Sequence, residues 1–264
     1  MLKTTLLKTL FEKRYTILIW TLAVLVLNIA IIQLFPALRD VFSTTMANMP
    51  PELSGWFGDG AIWTSIRGYV GMEIMGQMGI IVIIFGIIFP ISIFASEEDS
   101  GLLTTQLSRP LSRFRYLAEK YIALLIAIFI LIVGFALGTF LGTVIVGDVI
   151  PLGELIVPML AVALLVAVFA SLTFAISAAT RLGKTISGVI VGLYAFASYF
   201  LTSLGATSDT VQALSKLTPH YYYNTPPVIE NGLELKNVLV LIAIAIIPLI
   251  ISTVIFLKRD LKTR

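Results

Sequence analysis

The sequence predicts an all-α integral membrane protein, a bundle of six transmembrane helices preceded by a short amphipathic helix at the membrane surface. Three observations predict it. The 264 residues are 58 % hydrophobic and only 12 % charged, whereas a soluble domain carries about 25 % charge. Six apolar runs each reach the roughly 20 residues that a helix needs to cross a hydrocarbon core of about 30 Å. Lysine and arginine concentrate in alternate connections between those runs, fourteen against four.

Residues 1–14 come first. Leu2, Leu6, Leu7, Leu10 and Phe11 interleave with Lys3, Lys8 and Lys13, the pattern of a basic amphipathic helix lying on the inner leaflet. The spans follow at about 15–35, 74–95, 121–146, 155–179, 185–204 and 238–257, and none contains Lys or Arg. In lipid their backbone groups can be satisfied only within a helix. Pro90 and Pro248 fall inside the second and sixth runs, where each is expected to kink or break a turn. The first run reads as a retained span, since no small-residue cleavage site follows it. The whole chain, 1–264, reads as a single transmembrane domain.

The charge split sets the orientation. Basic residues are kept on the cytoplasmic side, so both termini and the connections after spans 2 and 4 belong there. The long segments 36–73 and 205–237 lie on the opposite side. Their Pro50-Pro51, Trp56-Phe57-Gly58 and Pro219-His220-Tyr221-Tyr222-Tyr223 stretches suggest interfacial or re-entrant pieces.

Small residues recur every four positions in three spans: Gly134, Gly138 and Gly142; Ala163, Ala167, Ser171, Ala175 and Ala179; Gly188 and Gly192. Such stripes let helix backbones approach in lipid. They serve either packing within one chain or a surface between two. Polar residues in or beside the spans are few: Asn28, Gln33, Glu73, Gln77 and Glu154. Glu73 and Glu154 fall at predicted outer ends. Asn28 and Gln77 are deeper, and are candidate translocation-path residues or interhelical hydrogen-bonders.

Composition excludes several chemistries. There is no cysteine and one histidine, His220, so thiol catalysis and His-rich metal clusters are out. The spans offer no paired carboxylates for an intramembrane enzyme. Residues Ala178–Thr185 fit a relaxed phosphate-loop pattern, but that motif needs a strand before it and a helix after it, and here it joins two membrane helices. No catalytic residue, metal site or bound cofactor is expected on this chain.

The connection between spans 2 and 3, residues 96–120, is the informative one. Glu97, Glu98 and Asp99 favour a helix N-terminus through the macrodipole. Leu102, Leu103 and Leu107 form an apolar stripe at helical spacing. Pro110 ends that helix, and Ser112 can cap the next. The segment reads as a short amphipathic helix across the cytoplasmic face, either a lipid-lying connector or a lever that docks on a partner.

This segment also carries a resemblance. Its acidic cluster, Gly101-Leu102-Leu103, Leu107-Ser108-Arg109-Pro110-Leu111-Ser112-Arg113 and Lys120 resemble the pattern of permease subunits of ABC-2 type exporters. Phe256-Leu257-Lys258-Arg259-Asp260 and Pro219-His220-Tyr221 are similar to further motifs of that family. The resemblance covers the whole chain. It implies the membrane half of an ATP-driven exporter in a prokaryotic plasma membrane. It further implies two cytosolic ATPase subunits carrying ATP and Mg, and a second permease copy or a paralogue. The 96–120 connection would be the cytoplasmic coupling helix, a role that falls on Glu97, Glu98, Gly101, Leu102, Leu103, Leu107, Pro110 and Arg113. The alternatives are a secondary transporter, which calls for inverted repeats and broken ion-binding helices, and a non-transporting membrane scaffold. Nucleic acid is not an expected partner; membrane lipid is.

Overall fold

The computed structural model describes residues 4–45, 64–99, 112–180, 183–205, 208–223, 232 and 234–258. Among the described residues every regular element is helical. Six helices are long and apolar enough to cross a membrane: Arg14–Ile32, Ile66–Glu98, Arg113–Val146, Leu152–Ala179, Thr185–Ser203 and Leu235–Lys258. They are referred to below as spans 1 to 6.

Two spans begin eight residues before the apolar run predicts. Span 2 starts at Ile66, where the Ser65 hydroxyl accepts from the Gly68 N–H at 3.0 Å. Span 3 starts at Arg113, where the Ser112 hydroxyl accepts from Arg115 N–H at 3.2 Å. In both, the added turns carry charge, which hydropathy discounts, and several of these charges are paired: Arg67 with Glu154, Arg115 with Glu119 and Lys120 with Glu97. Span 3 has 34 residues, about 51 Å of helix against a hydrocarbon core of about 30 Å. It therefore stands well clear of the lipid. Its other end stops at Gly147, whose φ of +84° is the left-handed cap that glycine adopts without steric cost.

Span 2 is not a uniform α-helix. A regular stretch, Gly79–Pro90, is bracketed by π-helical segments Val70–Met78 and Ile91–Ala95. The second begins directly after Pro90, whose missing N–H and ring disrupt the regular ladder. The Ser92 hydroxyl donates to the Phe89 carbonyl beside it at 2.8 Å. Pro248 behaves differently: span 6 is an unbroken helix from Leu235 to Lys258.

Spans 1 and 3 run parallel and pack most extensively, followed by spans 4 and 6, with span 2 against span 4. The glycine stripe of span 3 belongs to the first of these pairs. A Cβ on Gly134 would meet the Thr21 side chain, one on Gly138 the Leu25 backbone oxygen at 2.5 Å, and one on Gly142 the Ile32 side chain. The stripe is thus spent inside one chain. Gly138→Val is expected to prise spans 1 and 3 apart and cost about 1–3 kcal/mol. Gly153→Val, where nothing lies within 4 Å of the added Cβ, is the control. Melting of the two variants in detergent separates them.

The core is built from spans 2, 3 and 4. Phe85, Phe89, Phe135, Phe169 and Val166 are fully buried there. The outward faces of spans 1, 5 and 6 expose Leu22, Val26, Leu193, Ile247 and Ile251, as a lipid-facing surface does. The N-terminal helix Thr5–Glu12 packs against span 3 and exposes Leu7 and Phe11. It is shorter than residues 1–14: Thr4 caps its start, its hydroxyl accepting from Leu7 N–H, and Lys13 separates its end from span 1. In the second long connection, the short helix Pro219–Tyr223 is buried against spans 4, 5 and 6. The Tyr223 hydroxyl donates to the Met75 carbonyl in span 2 at 3.1 Å. Residues 50–58 of the first long connection lie outside the described residues.

Candidate functional site

Of the residues singled out around the 2–3 connection, the described ones, Glu97, Glu98 and Arg113, lie at one end of the bundle. That end collects the finish of span 2, the start of span 3, the last turn of span 6 and the N-terminal helix.

Glu97 is at its centre. It is buried, in the short helical turn Ser96–Asp99 that continues span 2. Lys120 Nζ donates to Glu97 Oε1 at 2.6 Å, and the Tyr116 hydroxyl donates to Oε2 at 2.7 Å. Both carboxylate oxygens are therefore held by span 3. Lys120 is 1 % exposed, with its ammonium 5.6 Å from the Tyr116 ring centroid. Tyr116 and Lys120 are four residues apart, so they share one helix face. A buried pair of this kind adds little net stability over an apolar pair, but losing one partner strands a charge in a dry site.

An aromatic cluster lies directly below. The Phe94 ring sits 5.4 Å from Phe174, 5.6 Å from Phe256 and 6.2 Å from Tyr116. It joins spans 2, 4, 6 and 3 around one side chain. Arg113 Nη1 reaches the Leu257 carbonyl at 3.4 Å, linking the first residue of span 3 to the last turn of span 6. The N-terminal helix joins through Glu119, whose Oε2 accepts from Leu6 N–H at 3.2 Å and whose Oε1 accepts from Arg115 Nε at 2.8 Å. A carboxylate at a helix N-terminus is favoured by the helix dipole.

The connection 100–111 therefore departs from and returns to a braced frame: Glu97 on one side, Ser112 and Arg113 on the other. Glu98 is half-buried beside Glu97. Gly101, Leu102, Leu103, Leu107 and Pro110 lie outside the described residues. Glu97 is held by the frame, with its side chain 11 % exposed.

The two intramembrane candidates separate. Asn28 is buried, and its Nδ2 donates to the Phe135 carbonyl at 3.0 Å and the Thr139 hydroxyl at 3.1 Å. Thr139 in turn donates to Phe135 O at 2.9 Å. Its amide joins span 1 to span 3, the interhelical alternative. Gln77 is half-buried in the π-helical part of span 2, one turn from Glu73. Glu154 bonds Arg67 through Nε at 3.0 Å and Nη2 at 2.8 Å, at the opposite end of the bundle from Glu97.

Residue-by-residue reading missed Lys120 and Tyr116 as the partners of Glu97. The signal was a lysine directly at the start of an apolar run, with a tyrosine four residues before it. It also missed His220 with Ser198. The His220 Nδ1 lies 2.7 Å from the Ser198 hydroxyl, which also accepts the His220 backbone N–H at 3.3 Å. Burial pulls the imidazole down to about 4, so it is neutral at physiological pH. Among the described residues no cluster of His, Asp and Glu is arranged to hold a metal ion.

A family model described as ABC-2 family transporter protein matches residues 12–261. Comparison with curated proteins and with solved structures returns no match.

Proposed function

The chain belongs to the ABC-2 family of transporter proteins, and from that premise we propose that it is the membrane-spanning permease of an ATP-driven exporter, moved by separate ATPase subunits that seat on its 2–3 connection. A membrane subunit of an ABC transporter works with ATPase partners and is not itself the catalyst. The finer reading is that two such subunits, carrying ATP and Mg, engage two permeases, either copies of this chain or this chain and a paralogue. One docking connection per permease and a two-unit motor support that stoichiometry. The translocation path is read as passing Gln77 on span 2.

The observation that supports coupling most is the braced frame around Glu97. A lever transmits force only if its ends are fixed to what must move. Residues 99 and 112, which flank the connection, are tied to spans 2, 3 and 6 and to the N-terminal helix within a few residues. A displacement of 100–111 would be delivered to four elements at once.

The test is co-expression with an ABC-type ATPase from the same genome, affinity capture through the permease, and measurement of ATP hydrolysis with and without it. The expected result is a complex with two ATPases and two permeases by native mass spectrometry, and hydrolysis that depends on the permease. A permease that captures no ATPase, or leaves hydrolysis unchanged, contradicts the reading.

The reading also carries an orientation. The described N-terminal helix and the end of span 6 lie at the same end of the bundle as Glu97, and the fourteen-to-four bias of basic residues supports reading both as cytoplasmic; the membrane is read as a prokaryotic plasma membrane. Reporters fused to either terminus are expected to be active only inside. Labelling of either terminus by an impermeant reagent added to whole cells is the contrary result.

A further inference from the structure

Glu73 does not sit where hydropathy places it. Span 2 begins at Ile66 rather than at the apolar run, so Glu73 lies inside the span, more than a turn deeper than Arg67. It is half-buried in the π-helical segment Val70–Met78. Such segments recur at functional sites.

Its surroundings leave the carboxylate uncompensated. Among the described residues, two other carboxylate or cationic side chains lie more than a turn inside a span. They are Glu119 and Lys120, and both are paired, with Arg115 and Glu97. Glu73 has neither a hydrogen bond nor an ion pair among those residues. Arg67, the nearest cationic side chain along the helix, gives both its Nε and its Nη2 contact to Glu154. Tyr69 and Tyr199 stand near enough to sense the charge on Glu73, but both hydroxyls have other partners. Tyr69 donates to the Ile31 carbonyl at 2.9 Å, and Tyr199 engages Ser203. An ionisable group inside a span is costly and marks a solute pathway by default.

The neighbouring groups select the solute. Gln77 is half-buried one turn on, so an amide stands beside the carboxylate. Gly76 presents no side chain, and among the described residues a Cβ there would meet only the Gly71 carbonyl oxygen, at 3.7 Å. Two phenol rings, one from span 2 and one from span 5, lie close by, and aromatic faces attract cations. A small hard ion such as calcium calls for roughly six or more oxygen ligands, more than Glu73 and Gln77 supply. An anion would meet like charge, and a neutral solute would leave the carboxylate without a counter-charge.

We propose that Glu73, with Gln77 beside it and Tyr69 and Tyr199 nearby, is the recognition point for an organic monocation, a substituted ammonium or similar onium group. The inference rests on the transport reading, since it names the substrate class of the path past Gln77.

The test uses the permease alone in detergent, so it is independent of any ATPase. The probe is radiolabelled tetraphenylphosphonium, and the comparator is tetraphenylborate, an anion of similar size and shape. Equilibrium dialysis against protein-free micelles is expected to show saturable binding of the cation and none of the anion. Glu73→Gln should weaken cation binding about tenfold or more, the factor that a contact to a charged group confers. Glu73→Asp, which keeps the charge, should retain most of it, and Glu154→Gln should leave it unchanged. The wild-type protein gives a second reading that needs no variant. Dicyclohexylcarbodiimide modifies carboxyl groups in apolar surroundings, and mass spectrometry locates the adduct. Tetraphenylphosphonium should protect Glu73 from it, and tetraphenylborate should not. Absence of saturable cation binding, equal binding of cation and anion, or cation binding that neither needs Glu73 nor protects it overturns the proposal. None of these outcomes bears on ATPase capture, so the failure of this site and the failure of the transport reading are distinguishable.

Discussion

Glu97→Ala is expected to destabilise the permease by about 3–5 kcal/mol, the cost of leaving a buried charge without its partner. Lys120 would remain 1 % exposed with its ammonium facing a methyl group, and the Tyr116 hydroxyl would lose its acceptor at the same time. Lys120→Ala should be nearly as damaging, because the Glu97 carboxylate is then the stranded ion. The double variant Glu97→Leu with Lys120→Met replaces the pair with apolar groups of similar volume and should regain most of the loss. Denaturation in mixed micelles measures all four proteins. The double variant also asks what the pair does. If the frame only needs to be rigid, permease-dependent ATP hydrolysis returns with stability. Wild-type melting of Glu97→Ala would mean that the frame is not braced by this pair.

The second large effect belongs to the connection itself. Leu103→Asp, or Leu102→Asp with Leu107→Asp, is expected to uncouple the motor. Burying one leucine in a partner groove contributes about 1.5–3 kcal/mol, and apolar anchors of that size dominate most interfaces. Glu98 and Asp99 would orient the helix by weaker, salt-sensitive pairing. The permease should still insert, because the segment lies outside the lipid-spanning runs. ATPase association or stimulated hydrolysis should fall tenfold or more, which corresponds to about 1.4 kcal/mol or more. Arg181→Ala with Lys184→Ala, in the connection between spans 4 and 5, should change it far less.

Much of the fold is legible in the sequence because lipid imposes one rule. An apolar run of about 20 residues must be helix, and its flanking charges fix its direction. The ends of spans 2 and 3 are less legible. A hydropathy reading stops at the first charge, whereas Arg67, Arg115 and Lys120 are each neutralised by a residue distant in sequence or one turn away. Ser65 and Ser112 as capping residues were the local signal for the earlier starts. Pro90 announces a disturbance, but not that the helix answers with a π-helical segment.

The site divides along the same line. The acidic cluster marks the 2–3 connection, yet nothing in its spacing distinguishes Glu97, turned inward to Lys120, from its neighbours. Asn28 as a deep polar residue suits a pathway or a helix pair equally until Phe135 and Thr139 are seen beside it. His220 lies among aromatic residues whose sequence suggests only an interface. Its bond to Ser198, twenty-two residues away, is a property of three-dimensional packing.

The central claim is that force enters the permease through residues 100–111. Its most direct test is site-specific photo-crosslinking in the assembled complex, with a photoreactive amino acid placed in turn at 103, at 107 and at 184. The account predicts covalent adducts to the ATPase from 103 and 107 and few or none from 184. Adducts from 184 with none from 103 or 107 would contradict it.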